Sequence, residues 1–191
     1  MKLVEIIADE TFAKIDYTTQ KLERAEYENC TFINCDFSNA DINQIQFNEC
    51  HFENCNLSMA QTGHTSFREV TFKKCKMLGV NFSNCDTFLL SFAFDDCVLD
   101  LASFYGLKLK NTQFINCNLK EVDFTEATLN NAVFDGSNLV QAVFGNTNLE
   151  KSDFRTAINY SIDPEINRIK KAKFSLPAIT GLLDKYNIDI Q

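Results

Sequence analysis

The chain has 191 residues, 45% of them hydrophobic, with 18 Phe, 5 Tyr, no Trp and a formal net charge of −8. That length admits one domain with a sizeable core, and no apolar run approaches the roughly 18–20 residues of a membrane span. An acidic surface repels nucleic acid and anionic membranes, so neither is expected as a direct partner, whereas a basic protein surface is. The opening "MKLVEIIADE" lacks the long apolar core of a secretory signal. A soluble, cytoplasmic protein is the expectation. Only 6 Gly and 2 Pro argue against conventional tight turns and disordered linkers.

Residues 1–11 precede any regular pattern and are expected to cap one end, with Leu3, Ile6 and Ile7 packed down. From Phe12 a large residue recurs every five positions: Tyr17, Leu22, Tyr27, Phe32, Phe37, Ile42, Phe47, Phe52 and Leu57. The run continues through Phe67, Phe72, Met77 and Phe82, with Thr62 and Thr87 as weak members. Five fits neither the helical period of 3.6 nor the strand period of 2. A two-residue excess over 83–93, "SNCDTFLLSFA", shifts the register. It predicts a bulge or small loop in which Phe88, Leu89 and Leu90 include exposed apolar groups. The fives resume at Phe94 and run, with Phe and Leu alternating, to Phe154.

A second column stands two residues before each large one, and it holds all eight cysteines. Each pentad thus has a small inward residue, a large inward residue and three outward polar ones. Cysteines recur at intervals of 20, as in Cys35, Cys55 and Cys75, and Phe returns every ten in the second half. A four-sided coil of four pentads satisfies both spacings. About thirty pentads then give an all-β solenoid, a quadrilateral β-helix of about 7–8 coils over residues 12–162, roughly 36 Å long at ~4.8 Å per coil. Stacked coils bury continuous ladders of side chains.

The fives stop after Asn159, and residues 163–191 read as a C-terminal helical cap. Asp163-Pro164-Glu165 resembles a helix start, and Ser175 and Pro177 open a second helix with Ile179, Leu182, Leu183 and Tyr186 on one stripe. "NIDIQ" alternates like a short strand. Phe174, Leu176, Ile179, Leu182, Leu183 and Tyr186 are the candidate dimerisation residues of this segment.

Catalytic chemistry is not apparent. His51 and His64 have no convincing triad partners, and no phosphate-binding glycine loop or zinc-protease motif occurs. "CTFINC" and "CHFENC" lack the spacing of zinc sites, so the cysteines read as small buried hydrophobes. Neither a catalytic nor a metal site is expected, nor a cofactor, and the protein reads as a non-enzyme.

The A(D/N)LxX pattern resembles the pentapeptide repeat proteins, which form right-handed quadrilateral β-helices. Off-consensus segments such as "CKMLGVN" (75–81), "SFYGL" (103–107), "NYSID" (159–163) and "AKFSLP" (172–177) look most like the albicidin-resistance members. The Qnr quinolone-resistance and microcin B17 immunity members are more distant. The resemblance implies a homodimer joined through the C-terminus that binds DNA gyrase or topoisomerase IV, protecting it from albicidin- or quinolone-type inhibitors. It also implies mimicry of duplex DNA by an anionic rod, with Asp95, Asp96 and Asp100 as candidate contacts beside Phe88, Leu89 and Leu90. A duplex as long as a dimer of about 70 Å carries about 40 phosphate charges, so a rod of modest charge must concentrate its acids on one face. The alternative is a general interaction scaffold with another partner.

Overall fold

The computed structural model describes residues 5–190. Its strands, in chain order, are β1 (Ile6–Ala8), β2 (Thr11–Ala13), β3 (Glu26–Glu28), β4 (Thr31–Ile33), β5 (Gln46–Asn48), β6 (His51–Glu53), β7 (Ser66–Arg68), β8 (Val70–Lys73), β9 (Phe92–Asp95) and β10 (Gln113–Ile115). All pairings are parallel and in register, the odd strands β1-β3-β5-β7 stacking on one face and β2-β4-β6-β8-β9-β10 on the next. These are faces one and two of a four-sided solenoid. Six of the nine levels of face two carry regular strands, where seven to eight coils are expected. Beyond β10 the same ladder continues only as single-residue bridges, Gln113 to Val133, Asp153 and Lys173, because the later coils bend at every corner.

The pentad pattern has a specific physical origin. The central residue points inward, and its backbone continues into a corner residue in the left-handed region, for example Asn34 at φ 55°, Asn54 at 53° and Asn131 at 57°. Asparagine tolerates that conformation better than most residues, yet Lys, Glu and Gln also fill such corners, as Lys14, Gln44, Glu49 and Lys74 do. At many pentads an Asp or Asn before the central residue accepts a hydrogen bond from the backbone N–H two positions on. Asp36 accepts from Ser38 (2.8 Å), Asp86 from Phe88 (3.0 Å) and Asp123 from Thr125 (2.9 Å). These outward acids are therefore part of the corner. The first outward position is less free to vary than the spacing alone suggests.

The core is a set of ladders of buried rings. Phe94, Phe114, Phe134 and Phe154 stack with near-parallel planes at 5.2, 5.1 and 4.6 Å, while neighbouring faces meet edge to face. The cysteine column has a second duty. Where a corner closes as a turn, the N–H three residues on reaches the central carbonyl, as Ala40 does to Phe37 (2.9 Å). Where a strand runs through the corner, the central carbonyl belongs to the ladder and the thiol of the next coil adds a second donation: Cys50 to the Tyr27 carbonyl (3.3 Å), Cys55 to Phe32 (3.3 Å) and Cys97 to Phe72 (3.3 Å). Ser137 donates its hydroxyl to the Phe114 carbonyl at 2.9 Å, and Ser152 donates at 2.7 Å to the Leu129 carbonyl, which the Ala132 N–H also reaches (3.0 Å). Burial raises the thiol of Cys50 to about 12, so it remains a protonated donor.

Both ends depart from the sequence reading. Ile6 and Ile7 do not form a separate cap: β1 is already the first rung of face one, with Ile6 exposed and Ile7 half-buried. Leu3 lies outside the described residues. At the other end the coil continues past residue 162, since Asn148 bridges Arg168, Asp153 bridges Lys173, and Phe174 stacks on Phe154 at 5.4 Å. Residues 164–166 form a turn, not a first helix. The expected amphipathic helix is two short 3-10 segments, Leu176–Leu182 and Asp184–Tyr186. The hydrophobic stripe suits an α-helix, but seating the segment on the last coil brings Gly181 onto Tyr160, where the Ile162 N–H bonds the Gly181 carbonyl (2.8 Å). "NIDIQ" forms no strand among its described residues, 187–190.

Candidate interaction surface

The register shift lies at the fifth of nine levels, between Asp86, which still bridges Ser66, and Phe92, which pairs with Val70 at the start of β9. Thr87, due by period to fill the core, is exposed. Its place is taken by Phe92, from the column that elsewhere holds small residues; Phe92 is buried against Phe67, Phe82 and Phe94 at 5.4, 5.2 and 5.4 Å. The two extra residues leave as a loop over face one. Phe88 and Leu89 are each 65% exposed, and Leu90 is half-buried against the core. Leu89 has φ +57°, the Arg68 guanidinium lies over the Phe88 ring at 5.6 Å, and the Ser91 N–H is held by the Phe67 carbonyl (3.0 Å). The base of the loop is thus fixed while its apolar tip faces solvent. A shallow groove runs between loop and corner, lined by Glu49, Arg68, Glu69, Leu89 and Leu90.

The acidic candidates do not form one patch. Asp95, at the end of β9, stands opposite Lys73 of β8. Asp96 occupies the next corner at φ 54°, above Lys74 at φ 53°. Asp100 lies one side further round, accepting from the Asn118 amide (3.2 Å) and the Lys120 N–H (3.3 Å). Spacing along the chain could not show this, because the lysines beside them come from the preceding coil.

The six dimerisation candidates divide. Phe174 and Leu182 pack against the core and Leu183 is half-buried, whereas Leu176, 84% exposed, Ile179 and Tyr186 face outward with Ile188 and Ile190. Sequence reasoning missed Ile188 and Ile190, which the strand reading of "NIDIQ" had placed elsewhere. Lys185 fastens this cap to the turn through Asp163 (2.7 Å), and the Tyr186 hydroxyl donates to Glu165 (2.8 Å).

His51 and Thr71 share an exposed hydrogen bond of 2.6 Å, and His64 is an exposed corner. Among the described residues no group of three or more His, Cys, Asp or Glu could hold a metal ion, and no helix is long and apolar enough to cross a membrane.

This architecture defines a four-sided parallel β-solenoid, a class that presents flat faces and ends rather than a catalytic cleft. The chain belongs to the pentapeptide repeat family: the model of the pentapeptide repeat region matches residues 21–104 and 107–175, well over half of its length. No curated protein matches the sequence. Among solved structures, full-length QnrB1, a plasmid-mediated fluoroquinolone resistance protein, superposes with a TM-score of 0.58 at 18% identity, over 96% of this chain and 100% of that one. HetL, a pentapeptide repeat protein involved in heterocyst differentiation regulation from the cyanobacterium Nostoc sp. strain PCC 7120, superposes with a TM-score of 0.52 at 13% identity, over 90% of this chain and 87% of that one. At such identities the likeness concerns the fold.

Proposed function

We propose that the protein is a non-enzymatic, cytoplasmic binding protein. In this reading it engages bacterial DNA gyrase or topoisomerase IV as a homodimer joined at its C-terminal ends, and protects the enzyme from albicidin- or quinolone-type inhibitors. The observation that carries the reading is the loop at the fifth level. Its tip exposes two large apolar side chains that the solenoid does not need, on a scaffold shared end to end with QnrB1. Exposed apolar groups on a firmly based loop are what a protein partner buries. The outward Leu176, Ile179 and Tyr186 support the dimer.

Mimicry of DNA has weaker support than the loop. Asp95 and Asp96 are flanked by Lys73 and Lys74, and many outward acids serve the corners. Contact through Phe88 and Leu89, with Asp95, Asp96 and Asp100 tuning approach, needs no uniform anionic face. A scaffold with another partner is the second reading, favoured by the comparable likeness to HetL. Supercoiling by DNA gyrase, titrated with the protein in the presence and absence of albicidin or a fluoroquinolone, separates the two. Relief of poisoning by the wild type and its loss in Phe88→Ala/Leu89→Ala supports the proposal. No effect of a folded protein on either reaction refutes it.

A further inference from the structure

Face one is electrically divided about its midpoint. Levels one to four carry Asp9, Glu26, Glu28, Glu49 and Glu69 outward, against Arg68 alone, for a net charge of −4. Levels six to nine carry Lys108, Lys110, Lys151, Arg168, Lys170 and Lys171, against Glu150 alone, for a net charge of +5. Backbone bonds place these residues in shared columns: the Asp9 N–H meets the Glu28 carbonyl (3.0 Å), Glu49 meets Arg68 (2.8 Å), and Lys151 meets Lys170 (3.0 Å). Glu150 is paired with Arg168 within its own face at 3.2 Å. Between the halves, at the fifth level, stand Asp86, which accepts from the Phe88 N–H (3.0 Å), and the apolar loop tip of Phe88 and Leu89.

We infer that face one is a self-complementary surface for a second copy of this chain, laid side by side and antiparallel. A two-fold axis crossing the rod at the fifth level places level one on level nine and level four on level six. The −4 half of each copy then meets the +5 half of the other, with the two loop tips against each other at the axis. A parallel pairing would set acid on acid. The isologous arrangement is the kind that closed dimers use, and charge matching selects its register. Long lysine and glutamate side chains span the gap left by the meeting loops. The groove beside the loop, lined by Glu49 and Glu69, receives the lysines of level six from the other copy. This contact is separate from the C-terminal one and does not rest on the topoisomerase reading. It covers Phe88 and Leu89, so a topoisomerase contact through them uses the unpaired face.

Charge exchange tests the inference. Two triple variants are made in the full chain, Glu26→Lys/Glu28→Lys/Glu49→Lys and Lys108→Glu/Lys110→Glu/Lys151→Glu, all distant from the C-terminal cap. By sedimentation velocity at roughly 50 mM salt, the wild type shows side-by-side association that weakens at least about 10-fold near 1 M, where screening acts within about 3 Å. Each triple variant alone loses that association, and an equimolar mixture regains it as a one-to-one pair. Leu89→Cys in the wild-type background cross-links to itself on oxidation, since level five lies on the axis and the eight native cysteines are buried. That cross-link disappears in either triple variant. The inference is overturned if association is insensitive to both triple variants, or if mixing them restores nothing. Cross-linking of folded Leu89→Cys that persists in both triple variants also overturns it.

Discussion

Truncating Phe92 to alanine removes a 4% exposed ring whose centroid lies 5.2 to 6.4 Å from those of five others. The same corner in other coils carries Cys30, Cys50, Val70, Thr112, Ala132 or Ser152, and periodicity alone would make Phe92 a minor packing residue and Thr87 a core one. The structure reverses these roles. Removing a buried benzyl group costs about 3–5 kcal/mol, and in a domain of this size each kcal/mol shifts Tm by about 2–4 °C, so Phe92→Ala melts roughly 6–20 °C early. Thr87→Ala, at an exposed site, stays within about 0.5 kcal/mol. Urea unfolding followed by far-UV circular dichroism measures both, the chain having no Trp to report by fluorescence. A loss below about 1.5 kcal/mol for Phe92→Ala, well under the core range, would refute the repacking of the register shift, as would a larger loss for Thr87→Ala.

Four further outcomes are expected. Cys97→Ser keeps a second donor on the Phe72 carbonyl and costs little, whereas Cys97→Val leaves that carbonyl its ladder bond alone and costs about 0.5–1.5 kcal/mol; the reverse order in urea melts would make the thiol a mere space-filler. Asp153 is held near pKa 2, below its usual 3.8, chiefly by the Arg155 side chain (2.7 Å) with help from Lys173 (3.4 Å). Its folded pKa is depressed, so its stabilisation is full above about pH 4 and lost as pH falls towards 2; Asp153→Asn flattens the stability curve in that window by at most about 2 kcal/mol. Gly181→Ala drives a methyl into the Tyr160 carbonyl oxygen; the cap must lift, which limited proteolysis within residues 175–190 will detect while the coil stays intact. Leu89→Gly, at φ +57°, relieves a left-handed leucine and leaves stability unchanged or higher despite losing a large side chain.

The repeat was legible because each of its determinants acts within one pentad. A large inward residue, a small one two places earlier, an Asp or Asn that bonds the N–H two residues on, and an Asn that accepts the left-handed corner are all local choices. Cys35, Cys55 and Cys75, twenty apart, even give the number of sides. The apolar composition of "DTFLLSF" likewise announced an exposed segment, and Phe88 and Leu89 are exposed. What the chain alone could not decide depends on which coil lies beside which. Phe92 fills the core in place of Thr87, its ring lying against Phe67 and Phe82 from the coil below and Phe94 of its own coil, while Thr87 leaves with the loop. Asp95 and Asp96 lose their standing as an anionic patch because Lys73 and Lys74 arrive from the coil below. The stripe from Ile179 to Tyr186 winds as 3-10 segments because Gly181 must seat against Tyr160 on the last coil. Local hydrogen bonds and φ preferences fix the shape of one coil, while the neighbours that set charge, loop packing and end structure come from residues about twenty positions away.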